Sequence, residues 1–143
     1  MASPTPVHVC LENVVFRDGR AVALLDFDAG PGRREHGLAS LARMCVPIDD
    51  DINAPKLGWV PAQRPARLRL VADTYGLDGA GRAELLTCLD ESIERGGEIV
   101  LRRAEAGEPG FVERWESMGG MARFDRRREW WATERHTYAA ALV

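Results

Sequence analysis

Asn13-Val14-Val15-Phe16-Arg17-Asp18-Gly19-Arg20-Ala21-Val22-Ala23-Leu24-Leu25-Asp26-Phe27-Asp28 is the stretch from which the fold is read. Asn13 to Arg17 is rich in β-formers, and Asp18-Gly19 is a two-residue turn signal, since both residue types tolerate positive φ. Ala21 to Asp28 is almost continuously apolar and ends in acids. The spacing predicts an antiparallel hairpin over 13–28 whose second strand is covered on both faces. Glycine, proline and arginine from Ala29 to Arg34 then break the pattern.

Over residues 36–143 the apolar period turns helical. Leu38, Leu41, Ala42 and Cys45 share one face, and Pro47 stops that helix. Residues 47–62 read as a long loop holding Asp49-Asp50-Asp51 and several prolines. Loops of that length are uncommon in compact domains unless they have a task. A helix resumes near Pro65, with Leu68, Val71 and Tyr75 on one side, and closes at Gly76. From Arg82 to about Ala106 the apolar positions Leu85, Leu89, Ile93 and Val100 repeat at helical spacing, interrupted at Gly96-Gly97. Phe111 to Met118 makes a short helix ended by Gly119-Gly120, and Met121, Phe124, Trp131, Tyr138 and Leu142 mark a last one. The expected fold class is mainly α with one β-hairpin, in a single domain over 1–143.

Composition narrows the function. At 143 residues, 45% hydrophobic and 29% charged, the chain has an ordinary globular make-up. The net charge of −3 argues against nucleic acid as the main partner. No apolar run reaches the ~18 residues a membrane span requires, and MASPTPVHV lacks the core of a signal peptide. A cytoplasmic chain without a membrane partner is therefore expected. Cys10, Cys45 and Cys88 are too far apart for a zinc motif and odd in number for a disulfide framework, so each reads as a small apolar residue. His8, His36 and His136 are equally scattered.

Kinase-type phosphoryl transfer requires an Asp that orients the substrate hydroxyl, an Asn five residues later for magnesium, and a further metal Asp at a following strand end. Magnesium takes hard oxygen ligands and keeps phosphate oxygens and waters as the rest of its shell. Asn13 opens the first strand of the hairpin and Asp26 lies at the end of the second, an adequate protein share of such a site.

CLENVVFRDGRAVALLDFD, residues 10–28, resembles the active-site hairpin of the aminoglycoside phosphotransferase family, protein-kinase-like kinases of small molecules. The family pattern runs H-G-D-x-x-x-x-N-V, a short hairpin, then I-D-F/W. Asn13 matches its metal-binding Asn and Asp26 its metal-binding Asp. GPGRREHGLASLARM resembles the segment that follows, usually G-P-x-x-x-D-L-A. The resemblance implies the helical C-terminal lobe of the protein-kinase-like fold, with ATP and magnesium as cofactors and a small-molecule hydroxyl as substrate.

The departures from that pattern are equally specific. His8 stands where the family has its catalytic Asp, Pro6 where it has His, Val7 for the Gly, and Gly37 for the Asp before Leu-Ala. Histidine can act as a base, with an ordinary pKa near ~6.5, but lacks the fixed negative charge of aspartate. The family's N-terminal lobe, with its nucleotide-covering strands and phosphate-contacting lysine, has no counterpart in these residues, where the one lysine is Lys56. The expectation is a truncated or degenerate member, inactive alone. The alternatives are a non-catalytic helical interaction module, or the C-lobe half of a split kinase with an N-lobe partner chain.

Three weaker candidates remain. Asp49-Asp50-Asp51 could attract a cation but reads first as a solvated loop. Arg126-Arg127-Arg128 could hold a phosphate but, beside Asp125 and Glu129, reads first as a salt-bridged surface. Trp115, Trp130 and Trp131 are expected in helix contacts, leaving Trp59 as the aromatic for a pocket.

Overall fold

The computed structural model describes residues 5–8, 13–25, 28–30, 33–57 and 63–143. The chain is mainly helical, with the expected hairpin near its start. Strands β2 (Val14–Arg17) and β3 (Arg20–Leu24) pair antiparallel around Asp18 and Gly19, at φ +49° and +73°. Positive φ at both turn positions gives the twist that lets two strands stay paired, which is why Asp-Gly is found there. The register runs Val14–Leu24, Val15–Ala23, Phe16–Ala21 and Arg17–Arg20, so Val22 is an extra residue bulged out of the ladder.

The strand pattern corrects three expectations. The ladder stops at Leu24 rather than Asp28, with one further bond from the Leu25 N–H to the Asn13 carbonyl, 2.8 Å. The second strand is not covered on both faces: Arg20 to Ala23 are exposed, and only Leu24 is half-buried. A two-stranded ribbon has no second layer of its own, and a continuous apolar run does not by itself supply one. Third, residues expected to break the pattern form a second antiparallel pair, β1 (Thr5–His8) with β4 (Asp28–Gly30), in register Thr5–Gly30, Pro6–Ala29 and His8–Asp28. Proline, glycine and aspartate are poor β-formers, so pairing rather than propensity makes these strands.

Among the described residues six helices follow: α1 (Arg34–Cys45), α2 (Arg64–Thr74), α3 (Gly79–Arg95), α4 (Glu98–Glu105), α5 (Pro109–Ser117) and α6 (Gly120–Ala141). A short 3-10 turn, Ala54–Leu57, lies between α1 and α2. The third helix starts three residues before the sequence pattern suggested. Gly79 and Gly81 are weak helix formers, but Asp78 caps the start by accepting the Gly81 N–H at 2.8 Å.

Helices α1, α2, α3 and α6 enclose the core, built on Leu38, Ile48, Leu68, Leu85, Leu89 and Tyr138. Tyr75 and Met121, expected on buried faces, are 48% and 44% exposed, each lying at a helix end where the apolar stripe runs out. Cys88 is buried and Cys45 half-buried. Helices α4 and α5 pack chiefly on each other and bury no residue fully. The break before α4 is sharp because Gly97 sits at φ +116° with its Cα against the Phe124 ring, where a Cβ would collide. Among the described residues, no helix is long and apolar enough to cross a membrane.

Candidate functional site

The two strand pairs are nested along the chain and form two separate two-stranded sheets. The outer pair sets His8 opposite Asp28, and the inner pair ties Asn13 to Leu25. Leu25 and Asp28 are three residues apart, which holds their Cα atoms within about 11 Å. Asp26, Cys10 and Trp59 lie outside the described residues, and for His8 the backbone alone is described. Strand β1 also lies against α1.

The acidic run 49–51 is neither a solvated loop nor a free trap for cations. Asp50 is 4% exposed and organises the turn around itself. Its Oδ1 accepts the N–H groups of Ile52 and Asn53 at 2.9 and 3.0 Å, and its Oδ2 accepts Asn53 Nδ2 at 2.9 Å. Asp51 pairs with Arg64, which is 3% exposed and stacks over Trp130 at 4.8 Å. The Arg64 guanidinium also donates to the carbonyls of Pro47 and Asp49, at 3.2 and 2.6 Å. Burying an arginine is costly unless it is paired and hydrogen-bonded, and here the loop supplies both. No spacing rule pointed to Arg64, because its partners lie 13–17 residues back in irregular chain.

The run Arg126-Arg127-Arg128 divides between surface and interior. Arg126 is exposed, and Arg128 pairs with Asp125 at 3.2 Å and Glu94 at 3.5 Å, as a salt-bridged surface should. Arg127 departs from the expectation at 3% exposure: it lies over the Phe124 ring at 4.8 Å and donates to the Gly96 carbonyl at 3.0 Å. Burial, then the charge of Arg43, lowers its pKa to about 10. Arg43 on α1 is lowered too, chiefly by burial, and donates to Ser92 O and Oγ at 3.1 and 3.0 Å. Arg123 meets Asp49 at 3.3 Å.

The tryptophans lie in helix contacts as expected. Trp131 is buried and donates to Asp90 at 2.8 Å, Trp130 packs near Tyr138, and Trp115 stacks on Phe124 with centroids 5.2 Å apart. An open groove of about 470 Å³ runs between α3 and α6, lined by Asp90, Glu91, Glu94 and Trp131. Its carboxylates already have partners: Asp90 pairs with Arg135 at 2.7 Å, Glu91 meets the His36 ring at 3.2 Å, and Glu94 meets Arg128. Among the described residues, no three His, Cys, Asp or Glu side chains converge on a metal position.

Comparison with family models, with curated proteins and with solved structures returns no match.

Proposed function

We propose that this chain is the helical C-terminal lobe of a kinase resembling the aminoglycoside phosphotransferases. Its ancestral reaction is ATP-dependent phosphorylation of a small-molecule hydroxyl, and the polypeptide is inactive alone. The observation that supports this reading is the nested strand pairing: His8 opposite Asp28, and Asn13 bonded to Leu25. A kinase-type site needs its Asp position, its metal Asn and its metal Asp at one place, and the two pairings join the segments that carry residues 8 and 13 to the segment 25–28.

The donor set fits magnesium. Asn13 and Asp26 offer an amide and a carboxylate oxygen, both hard ligands, and would hold the ion while phosphate oxygens and water complete its shell. The ion would there screen the charge of the transferring phosphoryl group. His8, at the base position, accepts a proton in its neutral form but does not align a hydroxyl as a fixed carboxylate does. Loss of a general base costs ~10²–10⁴ in rate, and the strands and lysine that grip the nucleotide in the resembled family are a separate requirement.

Manganese titration followed by NMR line broadening tests the metal assignment. Broadening should centre on Asn13 and residues 24–28 and should vanish in Asp26→Ala. Broadening centred elsewhere, or unchanged in Asp26→Ala, would overturn the family reading. In an ATP turnover assay against amino-sugars with magnesium, the chain alone should release no ADP. Turnover that disappears in Asp26→Ala would overturn the inactivity and leave the family reading standing.

A second reading is favoured by Phe16, Val22 and Leu25, exposed at 58%, 54% and 56% on or beside the ribbon. An apolar face of this kind suits contact with another chain, as the interaction-module and split-kinase readings require.

A further inference from the structure

Three guanidinium groups meet where α3 ends, beneath the turn at Gly96. Arg43 reaches this point from α1 and donates to Ser92, while Arg127 reaches it from α6 and donates to Gly96 itself. A Cβ built on Gly96 would lie 2.7 Å from Arg127 Nη2 and 3.1 Å from Arg43 Nη1. The two cations are therefore within about 6 Å of each other, the range in which like charges disfavour one another. Arg123 lies one helical turn before Arg127 on the same face of α6. Among the described residues, the carboxylate facing this trio is Asp49, which accepts from Arg123 Nη2 at 3.3 Å.

The charges do not balance. Three guanidinium groups face one carboxylate and the C-terminal end of α3, worth about half a negative charge. The helix-end carbonyls satisfy Nη donors but cannot neutralise the cations. The Nε atoms of Arg43, Arg123 and Arg127 are all buried and have no hydrogen-bond partner among the described residues. Arg127 is 97% buried by its 3% exposure, and a buried cation without a counter-charge is among the most expensive arrangements a fold can hold. The Nε of neighbouring Arg128 is likewise without a hydrogen-bond partner, but that guanidinium has Glu94 and Asp125 as counter-charges. Arg123 is the more open of the three, its side chain 25% exposed against 3% for the residue Arg127.

We propose that Arg43, Arg123 and Arg127 form an oxyanion site for a phosphate group, either free phosphate or a phosphomonoester. A tetrahedral dianion supplies the missing charge and several acceptor oxygens, and guanidinium donors suit such an anion better than ammonium groups do. The proposal does not depend on the kinase reading.

Calorimetric titration at low ionic strength with inorganic phosphate and, separately, glycerol phosphate tests the proposal. Saturable binding of either anion is expected, weakened about tenfold or more in Arg123→Gln. Arg127→Met is the more drastic change and endangers folding. Arg123→Gln removes a quarter-exposed side chain, and its unfolding midpoint without phosphate checks that the fold is kept. Asp49→Asn removes the competing carboxylate and should tighten binding severalfold. Exposed Arg126→Gln, on the same helix, should leave it unchanged. Binding of neither anion by the parent chain, or binding that survives in Arg123→Gln, would overturn the proposal.

Discussion

Replacing Asp50 by alanine deletes three hydrogen bonds at once, two to backbone N–H groups and one to Asn53. Bonds to a charged acceptor contribute ~1.5–3 kcal/mol each when removed singly, and such losses overlap within one turn. Asp50→Ala should therefore lower stability by about 3 kcal/mol in urea unfolding, with Asp50→Asn recovering part of it. A change below ~0.5 kcal/mol would show that the turn is held by Arg64 alone. That Asp50 is buried was not visible in the run Asp49-Asp50-Asp51, because three like residues in a row carry no mark of which one turns inward. Arg127 differs, since it lies three residues after Phe124 and four before Trp131, so the helical period marked it as the inward member of its run. The carriers of the candidate phosphate site were legible only in part. Arg127 lies in a basic run and Arg123 one turn before it on the same helix, but Arg43 reaches it from a remote stretch of chain.

At the scale of elements, glycine punctuation was the most readable feature, and two glycines now differ in what they cost. Gly97 and Gly107 both have positive φ, +116° and +75°, but a Cβ at Gly97 would enter the Phe124 ring, whereas Gly107 has nothing within 4 Å. Gly107→Ala should cost ~1–2 kcal/mol for its backbone conformation alone. Gly97→Ala adds overpacking and should cost about 4 kcal/mol. Equal costs in denaturant titration would mean that the α3–α4 corner is free to move off Phe124. The hairpin turn was legible for the same reason, since Asp18-Gly19 states its φ requirement directly. The pair β1–β4 was not, because Thr5–His8 and Asp28–Gly30 become strands only by meeting each other.

Across the whole molecule, burial is uneven. The core of α1, α2, α3 and α6 contains every fully buried large side chain of the helices, and α4 and α5 contribute none. Segments with few buried contacts open at lower free energy than the core does. Amides of residues 98–117 should exchange with solvent at least tenfold faster than those of Leu85 to Ile93 and Trp131 to Tyr138. Equal protection would indicate that the α4–α5 hairpin unfolds only with the core. The hairpin β2–β3 has a different vulnerability, since both edges of a two-stranded ribbon can pair with other strands. Arg17 and Arg20 face each other in the last register pair before the turn. Two positive charges directly opposite weaken the ribbon locally. Any stack of copies in register would bring further arginines alongside, so the repulsion rises with every strand added. The ribbon thus gives up a little of its own stability to resist growing into a fibril, and the bulge at Val22 breaks the flat edge such growth needs.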